Sequence, residues 1–135
     1  MLKMLTVLLV VGAPLLFVAA DASAQAQLLG QQPSGAGNIE VNTLASDKHS
    51  SSFLIFIREM VPNHIHQHHS ETIYVLEGQG VMRLGHEAVN IAPGDFIHVP
   101  EGQVHGVQVT SKQPLKVLSI QAPEFTGADR VLVED

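Results

Sequence analysis

From Ile39 onward the chain breaks into short apolar runs separated by turn residues, and no window of eleven or more residues carries a clean helical period. That pattern constrains the chain to an all-β fold. Candidate strands run over Ser52–Val61, His64–Gln67, Thr72–Leu76, Gly80–Leu84, Glu87–Ile91, Asp95–Val99, Val104–Val109 and Leu115–Gln121. Pro93-Gly94, Pro100-Glu101-Gly102 and Lys112-Gln113-Pro114 punctuate them. Eight short strands predict a closed barrel or jelly roll, which hides its edges and leaves an interior where side chains from facing strands converge.

Within that framework the stretch Pro62 to Gly78 concentrates the chemistry. His64, His66, His68 and His69 are four of the chain's eight histidines, and Glu71 lies just beyond them. The chain has no cysteine, and imidazole and carboxylate are what a divalent first-row metal prefers when thiolate is absent. Residues two apart point about 200° apart on a helix but share a face on a strand, so His64 and His66 meet one ion only if the segment is extended. His105 follows the Pro100-x-Gly102 turn and shares strand parity with Val107 and Val109. An inward imidazole there sits among apolar walls, where an unpaired polar group is costly unless it binds something. A lone histidine of this kind is usually a satisfied core residue; four convergent candidates favour metal ligation.

His64-x-His66, four residues, Glu71, six residues, Gly78 resembles the first motif of the cupin superfamily. Gly94, five residues, Pro100-x-Gly102, two residues, His105 resembles its second, and 15 residues separate Gly78 from Gly94. The resemblance spans roughly Phe53 to Gln121. It implies a single cupin β-barrel, the double-stranded β-helix or jelly roll, with one divalent transition metal (Mn, Fe, Cu, Ni or Zn) bound by His64, His66, Glu71 and His105. Four protein ligands on an octahedral metal leave two positions for water, oxygen or a chelating small molecule, unlike closed structural zinc. Three functional classes fit: a metal-binding cupin without turnover, a metal-dependent dioxygenase or isomerase, and a metal-free ligand-binding module. The resemblance also makes a homodimer reasonable. The chain departs from the family pattern at Arg58, where the first motif opens on glycine, and at Val109, where the second often closes on asparagine.

Other residues carry weaker signals. His66-x-His68 offers an alternative ligand register, but its spacing to Glu71 fits the motif less well; His68 and His69 are expected at the rim. His98 is expected at the surface, with orientation of a ligand as the alternative. Arg58 and Met60 share parity with Leu54 and Phe56, and either pair could face the cavity. Tyr74 and Met82 are expected in the core, and Glu59, Glu77 and Glu87 in solvent. No Ser-His-Asp arrangement and no phosphate-binding glycine loop stands out, which disfavours hydrolase and nucleotide-dependent chemistry. The apolar end of Leu115 to Asp135 is expected to close the barrel or to pair with a second subunit.

The first residues read as a targeting segment. Lys3, the apolar run Leu5 to Ala20 and the small residues Ala22-Ser23-Ala24 predict a secretory signal peptide over residues 1–24. A Gln-, Gly- and Ser-rich flexible leader over 25–38 and one cupin domain over 39–135 would follow. The protein is therefore expected in the periplasm or secreted, with no membrane partner after cleavage. A net charge of −6 with scattered signs and no basic stripe argues against a nucleic-acid partner. Without cysteines, hydrophobic burial, with or without a metal, must stabilise the fold.

Overall fold

The computed structural model describes residues 28–134. The signal-peptide assignment, residues 1–24, lies outside them. Ten strands form: β1 (Ile39–Asp47), β2 (Ser50–Ile57), β3 (Met60–His66), β4 (Ser70–Glu77), β5 (Gly80–Leu84), β6 (Glu87–Ile91), β7 (Phe96–Val99), β8 (His105–Val109), β9 (Leu115–Ala122) and β10 (Arg130–Leu132). They make two five-stranded antiparallel sheets, in the orders β1-β2-β9-β4-β7 and β10-β3-β8-β5-β6. The double-stranded β-helix is thus present, with ten strands among the described residues rather than eight.

The differences from the sequence reading have local causes. Ser52–Val61 is two strands, because the chain changes sheets at Arg58-Glu59. Asn38 braces that corner: its carbonyl accepts from Arg58 N at 2.8 Å, its Oδ1 accepts from Glu59 N at 2.9 Å and Met60 N at 3.2 Å, and its Nδ2 donates to the Met60 carbonyl at 2.8 Å. The Arg58 guanidinium donates to the carbonyls of Gly35 and Gly37, so it anchors the preceding segment and does not line the cavity. β1, exposed from Thr43 to Asp47, and β10, only three residues long, show too little periodic burial to stand out as strands. β10 pairs with β3 of the same chain.

One core cluster, including Ile57, Val75, Met82, Val99, Leu115 and Val117, packs between the sheets. Each such side chain contributes about 1.5–3 kcal/mol by leaving water. The run Phe53 to Ile57 is apolar on both faces because both are covered: Phe53, Ile55 and Ile57 point inward, while Leu54 and Phe56 are buried on the other side. Lys116, also fully buried, lies 5.6 Å from the Phe56 ring and donates to the Leu29 carbonyl and to Glu77 Oε1, both at 2.9 Å. Glu77, expected in free solution, is therefore the counter-ion of a buried lysine. Met82 is core as expected, whereas Tyr74 is 41% exposed on the outer face of its sheet.

Candidate metal centre

β3 and β8 bring the first pair together. A register shift between Val61 and His64 sets Pro62 and Asn63 apart from the ladder and leaves His64 directly opposite His105. Period-two alternation then puts His66 on the same inner face as His64. The bulge presses on β8 at Gly106, where a Cβ would lie 2.6 Å from Asn63 Oδ1 and 2.8 Å from the Val61 carbonyl oxygen. Only glycine fits beside His105 without a shift. The turn before His105 is tied down as well, since Gly102 N donates to the His66 carbonyl at 2.8 Å.

Glu71 comes from β4 in the other sheet, inside a strand that begins at Ser70. It faces β9, where Val117, Ser119 and Gln121 alternate inward. Ser119 Oγ donates to Glu71 Oε1, and Gln121 Nε2 lies 3.5 Å from the same oxygen. Oε2 points to the histidines, 3.1 Å from His105 Nε2 and 3.6 Å from His66 Nε2. His64, His66, Glu71 and His105 are 5%, 3%, 6% and 2% exposed, and each offers a ligand atom within 4.8 Å of all the others. The four residues singled out in the sequence are the four that the fold brings together.

Protonation follows from these contacts. His64 Nδ1–H donates to the Pro62 carbonyl at 2.9 Å, which leaves Nε2 as the free lone pair in the neutral ring. Burial first, and then the charges of His105 and Arg130, push the His64 pKa down to about 4, so the ring is neutral at pH 7. Burial alone would raise Glu71, but the bonds from His105, His66 and Ser119 outweigh it and hold the carboxyl below the usual carboxylate range. His105 faces two acceptors, the Gln103 carbonyl at Nδ1 (3.0 Å) and Glu71 at Nε2. A neutral imidazole has one proton for the two, so with Nδ1–H on the carbonyl its Nε2 lone pair faces the carboxylate, an arrangement that a shared cation would satisfy. The donor set, an ionised carboxylate with buried imidazoles, fits a divalent metal at this point.

His69 is not at a solvated rim. It is buried, with Nδ1 donating to Asp129 Oδ2 and Nε2 to the Glu124 carbonyl at 2.6 Å. Burial acts against the charged form of both partners, yet their pairing prevails: the His69 pKa is raised and that of Asp129 lowered. Both ring nitrogens donate, which describes an imidazolium and not a metal ligand. Asp129 also reaches the site, since its Oδ1 lies 3.7 Å from His66 Nδ1, and neither atom has a hydrogen bond. Phe125 packs edge-on against His66 and His69, with ring centroids 5.4 and 5.5 Å away. His68 and His98 are exposed; Thr72 Oγ1 lies 3.3 Å from His98 Nδ1.

Ser119, Gln121, Phe125 and Asp129 escaped the sequence reading. Ser119 and Gln121 carried one usable signal, two polar residues at even spacing on an otherwise apolar strand. Phe125 and Asp129 carried none, because the loop between β9 and β10 has no periodicity. Behind the four side chains a cavity of about 290 Å³ opens, walled chiefly by aliphatic and aromatic residues from both sheets.

The cupin domain family matches residues 57–121. An uncharacterized protein of Methanocaldococcus jannaschii is 32% identical over 72 residues, 52% of this chain and 58% of that one. Quercetin 2,3-dioxygenase of Bacillus subtilis is 40% identical over 53 residues, 39% of this chain and 16% of the enzyme. The chain thus spans less than two thirds of the length of either relative. An uncharacterized conserved protein with a double-stranded β-helix domain from Klebsiella pneumoniae shares the fold at a TM-score of 0.66, with 22% identity, over 77% of this chain and 90% of that one. The matched span runs from the last residue of β2 almost to the end of β9 and takes in all four clustered side chains, so over residues 57–121 the chain is similar to cupin domains, and it folds as a double-stranded β-helix.

Proposed function

We propose that this domain binds one divalent transition metal (Mn, Fe, Cu, Ni or Zn) through His64, His66, Glu71 and His105 and presents it to a small molecule in the adjoining cavity. The carrying observation is the convergence of four buried donor atoms within 4.8 Å of one another. Three imidazole nitrogens and one carboxylate, without thiolate, suit these ions. A bound metal supplies Lewis acidity and, if redox active, electron transfer to a chelated ligand. The chain's own residues do the positioning. The Pro62 and Gln103 carbonyls fix two rings through Nδ1, Ser119 and Gln121 hold Glu71, and the apolar walls limit water around the site.

Binding without turnover is the leading reading, because among the described residues no acid or base outside the clustered four lines the cavity except Arg130; Tyr74 and His98 both lie outside it. The second reading is a metal-dependent dioxygenase or isomerase acting on a small chelating substrate, and the identity to quercetin 2,3-dioxygenase favours it. A metal-free ligand-binding module is the third. Export through the segment 1–24 would make the periplasm or the extracellular space the working compartment, and a homodimer its assembly.

Elemental analysis of the purified protein, alongside His64→Ala and His105→Ala, tests the site. The wild type should hold about one equivalent of a single metal and both variants should lose it. A folded wild type with no metal after reconstitution, or variants that bind as before, would overturn the assignment.

A further inference from the structure

Among the described residues, Arg130 is the one lysine or arginine that borders the cavity. The register of β10 on β3 sets it directly opposite His66, and residues opposite one another in an antiparallel pair present their side chains on the same face. Arg130 therefore belongs to the inner face, but on an edge strand, and it is exposed where the cavity meets solvent. Among the described residues it makes no ion pair or side-chain hydrogen bond. The two carboxylates of the site are engaged elsewhere, Asp129 by His69 and the His68 amide, Glu71 by Ser119 and His105.

The resulting charge is unbalanced. With a divalent ion present, Glu71 offsets one of its two charges and Arg130 adds another, so the polar end of the cavity is positive in a chain of net charge −6. Low-dielectric walls focus such a field. The walls are Ile55, Ile57, Ile73, Met82, Val107 and Val117 among others. A neutral ligand would make no use of the guanidinium at the mouth, and a polyanion would strand charge against hydrocarbon. One anionic group on an apolar body satisfies both ends. A cavity of about 290 Å³ has room for roughly ten waters at ~30 Å³ each, which limits the body to a short alkyl chain or a single ring.

The geometry points to a small organic carboxylate as the ligand of this cavity, its carboxylate held by Arg130 at the mouth and its alkyl or aryl body against the apolar walls. The assignment rests on the reading above that the cavity is the ligand site of the metal-binding domain. A planar fork of donors suits a carboxylate better than a point charge does, so lysine should replace Arg130 only in part.

Titration calorimetry of the metal-loaded full chain with hexanoate and with its neutral amide, hexanamide, tests the assignment on wild type, Arg130→Gln and Arg130→Lys. Metal content is measured on every sample. The wild type should prefer hexanoate by about tenfold or more, the loss expected when a charged hydrogen bond goes unmade. Arg130→Gln should abolish that preference, Arg130→Lys should keep part of it, and metal content should be the same in all three. From butanoate upward, affinity should rise about fourfold per added methylene until the cavity is full. Equal affinity of the wild type for both probes, no binding of either, or a preference that survives in Arg130→Gln overturns the assignment. A wild type that holds no metal yet prefers hexanoate sinks the metal reading and keeps this one; a loaded protein indifferent to the carboxylate does the reverse.

Discussion

His64 is a buried base that the fold keeps uncharged, and this gives the metal-free protein a defined acid sensitivity. Its folded pKa, about 4, lies below the ordinary 6.5, so between those values the unfolded chain binds a proton that the folded chain refuses. Stability therefore falls as pH drops from 6.5 towards 4, by ~3 kcal/mol from this residue. Glu71 acts in the same direction further down. Its folded pKa is depressed, so its contribution is intact above the ordinary 4.5 and is lost as pH falls through the lowered value. Thermal melts of the metal-free protein at pH 7 and pH 4 measure the effect, and His64→Gln should flatten most of the difference above pH 4.5. His64, His66, Glu71 and His105 could be singled out in the sequence because the two motifs they resemble have fixed spacing, and the fold brings these four together. The supports around them could not be: a serine or an aspartate that holds a ligand in place needs only to arrive there in space, and Asp129 comes from 58 positions after Glu71 by numbering.

Among the elements, the bulge of β3 is the device that makes the histidine pair. Regular pairing would run the ladder straight through Pro62, which has no N–H to contribute; the shift between Val61 and His64 instead aligns His64 with His105. Gly106 is the partner of that irregularity on β8. Gly106→Ala would force its Cβ onto Asn63 Oδ1 and the Val61 carbonyl. The expected cost is about 1–3 kcal/mol of stability together with weaker metal binding, because the strain falls between the two facing histidines. Chemical denaturation and metal titration of the one variant read both effects, and a variant that loses stability while holding metal as before would contradict this account of the bulge. Strands with apolar runs and turn punctuation could be read from the sequence nearly to the residue, as Gly80–Leu84 and Glu87–Ile91 show. β1 and β10 could not, since an edge strand with a solvated side needs few apolar residues and a short one has no period to display.

For the whole molecule, the clustered donor atoms come from both sheets: His64 and His66 from β3 and His105 from β8 on one side, Glu71 from β4 on the other. A metal bound by all four joins the sheets across the interior and stabilises only the folded state. Saturation at a hundred times Kd should add about 2.7 kcal/mol, and for a domain of this size raise Tm on the order of 10 °C. Scanning calorimetry with and without a chelator checks this, and His64→Ala should remove the shift.

The strands at the two ends of the described chain, β1 and β10, occupy one edge of each sheet and both fall outside the matched span 57–121, yet Ile39, Val41 and Arg130 line the cavity. The heritable consequence is a division of labour along the chain. The central segment carries the four clustered donor side chains, while the flanks shape what the cavity admits. Substitution in those flanks would reshape the mouth and wall of the cavity while leaving the four clustered donors in place.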